Sequence, residues 1–264
     1  MVCISFVFGI HVCAAQELYV FTEPASNMAA KSIGVRLNNS LLKTLDKGSE
    51  YHLIPEIMVG VSKKIMVHTD VFFSNLDKAF KMDGASIYGK YRFFNVDGIQ
   101  KHFRVSAYGR ASLNVAENHD EAIDLTGHNS GWEGGVVATQ LLHKVAVSSG
   151  VSFLHAFDNS KNKFIYGDNN RDAINYTLSV GGLILPKEYT SYKQTNLNLI
   201  LEFLNQYNVG SGSYYIDVAP AMQLIFNSKS RLDVGYRTQL SSTLYRSAPN
   251  GFFVRLEYNF FNAF

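Results

Sequence analysis

Residues Lys101 to Asn114 read KHFRVSAYGRASLN, and their alternation decides the fold. Phe103, Val105, Ala107, Gly109, Ala111 and Leu113 fall on one face. His102, Arg104, Ser106, Tyr108, Arg110, Ser112 and Asn114 fall on the other. Successive side chains of an extended chain point to opposite faces, so this run is a strand with two chemically different sides.

The last stretch, Gly251 to Phe264, behaves alike. Phe252, Val254, Leu256, Tyr258 and Phe260 oppose Phe253, Arg255, Glu257 and Asn259. Twelve such segments can be read, at 31–43, 51–61, 65–75, 85–95, 101–114, 131–142, 144–157, 174–186, 192–205, 213–226, 231–245 and 251–264. Ordinary globular strands run about 5–6 residues. Most of these are twice as long, the length of a tilted membrane-spanning strand of about 9–11 residues. Their connections alternate. Ser62 to Lys64, Asn95 to Gln100, the neighbourhood of His143, Pro186 to Ser191 and Asn227 to Ser230 read as tight turns. Asn75 to Gly84, Val115 to Ser130, Asp158 to Ala173 and Gln206 to Gly212 read as longer polar loops. This predicts an all-β, antiparallel up-and-down barrel of about twelve strands, with periplasmic turns on one rim and extracellular loops on the other.

Composition agrees. Charged residues make up 17% of the 264, against roughly 25% in an average soluble domain. The net charge of +2 gives no field for nucleic acid. The two cysteines, Cys3 and Cys13, leave the rest of the chain without a disulfide scaffold or a Cys-ligated zinc. No later run is long and apolar enough for a membrane helix. Residues 1–15 predict a cleaved signal peptide ending in Ala14-Ala15, although the first Lys is Lys31 and the usual basic start is missing. A buried first strand is the alternative. Residues 16–30 predict a periplasmic lead-in, and residues 31–264 the barrel.

The chain ends in Phe264, with Phe260, Tyr258, Leu256, Val254 and Phe252 at the same parity. This resembles the C-terminal strand signature of Gram-negative outer-membrane β-barrel proteins. The resemblance covers the architecture of residues 31–264, without a subfamily, and Asn262 departs from its apolar stripe. It implies a barrel seated in outer-membrane lipid, with Phe264 read by the barrel-assembly machinery.

If the apolar parity faces lipid, the other parity lines the lumen. Its basic set is Arg36, Lys90, Arg92, Arg104, Arg110, Arg237 and Arg255, and its acidic set is Glu56, Asp70, Glu202, Asp217, Asp233 and Glu257. Such charges either pair and plug a narrow barrel or line an aqueous path. Two basic stripes, Lys90, Arg92, Arg104 and Arg110 on the fourth and fifth strands and Arg237, Arg255 and Arg36 on the eleventh, twelfth and first, resemble the arginine-lined interiors of narrow sugar-acid porins, with Glu202, Asp217 and Asp233 as the expected counter-charges of the first. The expected function is a narrow channel or passive transporter for small polar or anionic solutes. A closed structural or interaction barrel is the alternative. On either reading Arg at Ala107 should be costly and Arg at Ser106 tolerated.

No enzyme is expected. Outer-membrane phospholipase A is a family of the same strand count, but it needs His and Ser at i and i+2 on the lipid face. Here His155 precedes Ala156 and Phe157, His68 precedes Thr69 and Asp70, and His102 precedes Phe103 and Arg104. His119, Asp120, Glu121, Asp124 and His128 read as a solvated extracellular loop. That loop lacks the D-x-D-x-D-G spacing of a calcium site, so neither metal nor cofactor is expected.

Overall fold

A sheet can cross hydrocarbon only if every backbone donor and acceptor is met inside it, which forces closure. The computed structural model, which describes residues 19–264 apart from 47, 77–78, 118–119, 161–163, 165–169, 189–190 and 192, meets that condition. The predicted signal peptide lies outside the described residues. The strands are β1 Ser32–Lys43, β2 Ser49–Gly60, β3 Ile65–Ser74, β4 Lys81–Gly98, β5 Lys101–Asn114 and β6 Gly131–Leu142. They continue as β7 Val145–Ala156, β8 Asp172–Leu185, β9 Asn196–Asn208, β10 Tyr214–Phe226, β11 Ser230–Ser242 and β12 Asn250–Phe260. Each pairs antiparallel with its sequence neighbours, and β1 pairs with β12 to close the barrel.

The exterior is apolar: Val35, Ile57, Val136, Val151, Val180 and Leu201 are all at least two-fifths exposed. The interior residues beside them are polar and buried, as in Ser179 next to Val180 and Glu202 next to Leu201. Tight turns collect on one rim, where Gln100, His143, Asn227 and Ser228 adopt positive φ, as two- and three-residue hairpins demand.

Several boundaries differ from the sequence reading: β4 starts at Lys81 inside the expected loop, β9 starts at Asn196 rather than 192, β11 ends at Ser242 rather than 245, and three further ends change the rims. The stretch expected as a turn at Asn95 to Gln100 continues as strand, so β4 and β5 form a hairpin that turns only at Ile99 and Gln100. Its residues 93–99 are exposed, with Ile99 at the tip almost wholly so. β9 runs on to Asn208 where a loop was expected. β12 stops at Phe260, and Ala263 turns back to donate its N–H to the Lys31 carbonyl.

The larger difference concerns residues 19–30. Expected outside on the periplasmic side, they lie inside the barrel. The segment enters beside Gly60, whose missing side chain leaves room for the Ala29 carbonyl. It then runs round the inner wall. Met28 packs on Met58 and Met66, Ser26 meets Arg104, and Ala25 lies between Ser106 and Thr139. Thr22 meets Ser179 and Glu202, and Tyr19 and Val20 join Ala146, Ile200, Ala221 and Phe253 in a small apolar core. The physical cause is the polar wall: a strandless segment has unpaired amides, and the lumen offers them partners.

Candidate functional site in the barrel lumen

Glu202, fully buried on β9, holds the segment's first described turn. Its Oε1 accepts the N–H groups of Val20 at 2.8 Å and Phe21 at 2.9 Å, and its Oε2 accepts that of Thr22 at 2.7 Å. From β12, three strands round the wall, the Arg255 guanidinium donates to the carbonyls of Tyr19 and Val20. Ala25 donates its N–H to Thr139 Oγ1 at 2.8 Å and accepts from Ser106 Oγ at 2.7 Å.

Above this lies a belt of charge centred on the seam where the barrel closes. Register places Arg36 of β1 directly opposite Glu257 of β12 and Glu56 of β2. Alternation turns all three inward, so they meet: Arg36 lies 3.0 Å from each carboxylate and 3.3 Å from Glu23 of the segment. His68 Nδ1 approaches Glu56 at 2.6 Å, and Arg231 bridges Glu257 and Asp233. Lys90, 2% exposed, gives its ammonium to Glu23 at 3.3 Å and to the Pro24 carbonyl at 2.8 Å.

Toward the loop side, Arg110 pairs with Asp70 at 2.7 Å and lies over the Tyr88 ring. Asp217 holds Arg237 at 2.7 Å and Arg246 at 2.6 Å, and both guanidinium groups face the Tyr215 ring. Arg92 and Arg104 lie at the turn rim. Arg92 donates to the Lys63 carbonyl, and Arg104 to Ser26 and Asp97.

The mouth is covered by the loop 115–130, here called L3. Expected as a solvated loop, it folds inward. Ile123 exchanges both backbone hydrogen bonds with the Gln206 side chain across the barrel, at 2.8 and 2.9 Å. Glu121 pairs with the backbone of Tyr245 in both directions, and Asp120 accepts the Ser247 N–H. Ile123 and Leu125 pack on Leu154, Ala156 and Ala173, and Ala122 packs on Tyr215 and Leu244. The reason is the apolar content of Ala122, Ile123 and Leu125 inside a polar loop. Between L3 and the N-terminal segment remains a cavity of about 380 Å³, lined among others by Glu23, Arg36, Arg110, Tyr108, Asn175 and Arg237.

All of the charged residues singled out at lumen parity point inward or to the rim. Their pairing differs from the expectation. The stripe Lys90, Arg92, Arg104 and Arg110 is not answered by Glu202, Asp217 and Asp233. Those acids serve the segment's amides, Arg237 with Arg246, and Arg231. The stripe's partners come from nearer: Asp97 on β4 itself, Asp70 and Glu133 on the flanking strands, and Glu23 from the segment. Sequence reasoning missed Glu23, Glu133, Arg231 and Arg246. Arg231 shares the parity of Asp233, so alternation alone could have found it. Nothing in the linear pattern of residues 19–30 marks Glu23.

No family model matches the chain, and no curated protein sequence does either. Among solved structures it is similar to an outer-membrane channel of Pseudomonas putida F1, with 12% identity over 91% of this chain and 99% of that one and a TM-score of 0.55. It is also similar to outer-membrane phospholipase A of Escherichia coli, with 10% identity, 87% and 91% coverage and a TM-score of 0.45. OccAB2 of Acinetobacter baumannii follows with 10% identity, 84% and 59% coverage and a TM-score of 0.42. These likenesses concern the fold: the chain has the transmembrane β-barrel fold of bacterial outer-membrane proteins.

Proposed function

We propose that the chain is a narrow outer-membrane channel for small polar or anionic solutes, closed from below by residues 19–30 and from above by L3. The observation that carries this reading is how the lower closure is made. Apart from small apolar patches at Tyr19, Val20 and Met28, the segment is held by hydrogen bonds and ion pairs that water can replace on withdrawal. What withdrawal would uncover also sets the selectivity. Lys90 loses both its partners, Arg104 and Arg255 lose those on the segment while keeping Asp97 and Asn38, and Arg36 loses one contact, against the single acid Glu202. A pore freed of the segment is therefore basic at its turn-side end and favours anions.

A catalytic reading finds less support. His155 faces outward and pairs with Asp172 at 2.6 Å, as a hydrolytic dyad would. The rings beside it belong to Trp132 and Phe157, and neither offers a nucleophile. The barrel would be inserted in outer-membrane lipid by the assembly machinery, for which Phe264 supplies the terminal aromatic group.

Planar-bilayer recording tests the channel reading, with the full chain compared to a variant lacking both residues 19–30 and the inward-folded residues 120–126 of L3. The full chain should be closed or open briefly. The variant should conduct, prefer anions, and lose that preference as salt screens the lumen. A variant that folds but does not conduct would favour the second reading, a closed structural barrel. The completeness of the Arg36 and Glu202 networks is the observation on that side.

A further inference from the structure

The geometry points to a divalent metal site of the zinc class at the mouth, formed by Glu50 and His52 of β2 with His128 of L3. Glu50 and His52 are two apart on β2, so alternation turns both inward. L3 brings His128 down beside them. One potential ligand atom from each residue lies within 4.8 Å of the other two. The rings of His52 and His128 are 5.2 Å apart.

Two observations separate this cluster from an ordinary polar contact. First, His52 Nε2 and Glu50 Oε2 are buried and make no hydrogen bond, although both residues are only 8% exposed. Second, these two atoms face each other at 3.6 Å, too far to bond directly. Two ligands of one tetrahedral zinc, at about 2.0–2.2 Å from the ion, lie roughly 3.4 Å apart. The gap is the width an ion fills after a small contraction. Asp120 Oδ2, 3.7 Å from His128 Nδ1, is placed to take a fourth position or to orient the imidazole.

The donor set fixes the class of ion. Calcium and magnesium prefer oxygen cages, whereas two imidazoles and a carboxylate suit zinc and its neighbours. The surroundings favour a cation too. Carboxylates lie close to the two imidazoles: Glu50 belongs to the cluster and Asp120 approaches His128 at 3.7 Å. A metal ion supplies the positive charge without the proton. The second cluster of this kind, Glu23, Glu56 and His68, differs in that its carboxylates are already neutralised. There His68 is already bonded to Glu56, and Arg36 lies against both carboxylates.

A metal at this point ties L3 to the barrel wall. The site stands or falls independently of conduction. The test uses the full, untagged chain, refolded in detergent and stripped with chelator, then titrated with zinc chloride by calorimetry. Protease nicking of L3 is read in parallel. One zinc should bind per barrel and slow the nicking. His52→Ala, His128→Ala and the nearly isosteric Glu50→Gln should each weaken binding at least tenfold, and His155→Ala should not. Heat-modifiable migration reports that each variant is folded. Failure of zinc to bind, unchanged affinity in both His52→Ala and His128→Ala, or calcium binding as tightly as zinc would each overturn the proposal. Zinc that binds without slowing the nicking would overturn the bracing of L3.

Discussion

Replacing Glu202 with Ala should release the N-terminal segment while leaving the barrel closed on itself. The carboxylate accepts three backbone N–H groups at 2.7 to 2.9 Å from a fully buried position. Hydrogen bonds to a charged group contribute about 1.5–3 kcal/mol each. Their simple sum overstates the loss, because amides freed into a loosened lumen find water. Counting two at the lower end gives about 3 kcal/mol, or roughly a hundredfold shift in the segment's release equilibrium. Glu202→Gln keeps one acceptor oxygen and should cost about half as much. Ser179→Ala, which removes one hydroxyl proton shared between Thr22 Oγ1 at 2.8 Å and Glu202 Oε2 at 3.2 Å, should cost less than either. Hydrogen exchange at the amides of Val20, Phe21 and Thr22 measures this directly, because release exposes them without global unfolding. Exchange in Glu202→Ala should be about a hundredfold faster there and unchanged at the strand amides of β9. Equal exchange at all three amides in Glu202→Ala and the parent would refute the reasoning. It would mean that the apolar core around Tyr19 and Phe253 holds the segment.

Arg36→Ala should destabilise the barrel by about 3–5 kcal/mol, since it removes the cation shared by the buried carboxylates of Glu56 and Glu257 and by Glu23, leaving them His68, Arg231 and Lys90; denaturant unfolding followed by the fluorescence of Trp132 reads this. On the lipid face, Val180→Arg near the middle of β8 should cost about 2–4 kcal/mol in the same assay. Ser106→Arg, expected from sequence to be tolerated, should instead expel the segment, because Ser106 is wholly buried against Ala25; faster exchange at the Ala25 amide would report it. Two groups of L3 give it a pH window in chelated protein. His128 is raised, so its contribution is complete below about pH 6.5 and is lost as pH rises through its folded value. Asp124 is lowered, because His128 and the donors of Thr126 outweigh its burial; its contribution is present above about pH 3.9 and is lost as pH falls through its depressed value. Protease nicking of L3, normalised to a free peptide at each pH, should be slowest between about pH 4 and 6.5.

The barrel was legible because each strand carries its instruction twice, once on the lipid face and once on the lumen face. KHFRVSAYGRASLN has only one register that puts Val105 in hydrocarbon and Arg104 inside. The extension of β4 was less legible: a bulge between Arg92 and Phe94 shifts the register, so Phe94 and Val96 fall on the opposite parity from Ile87 and Tyr91, and Asn95, Asp97 and Gly98 look like a turn. What fills the lumen was not legible. Residues 19–30 have no period, and their partners sit on β4, β5, β6, β9 and β12, so no local pattern announces the contact. L3 left a trace in its apolar residues. The meeting of His128 with Glu50 and His52 depends on how the loop folds, which spacing alone does not encode.

The position of residues 19–30 bears on the order in which the molecule comes together. Tyr19 meets Arg255 across 236 positions of sequence, and Val20 meets Glu202 across 182. Contacts so distant form late, since the loop between them must close before they yield any gain. The segment that precedes all twelve strands in the chain is thus satisfied only after the last of them has arrived. An incomplete barrel missing β12 would leave the carbonyls of Tyr19 and Val20 without Arg255 and take Phe253 from their apolar core. The lumen contents therefore act as a checkpoint on assembly: they settle only in a barrel whose first and last strands have met.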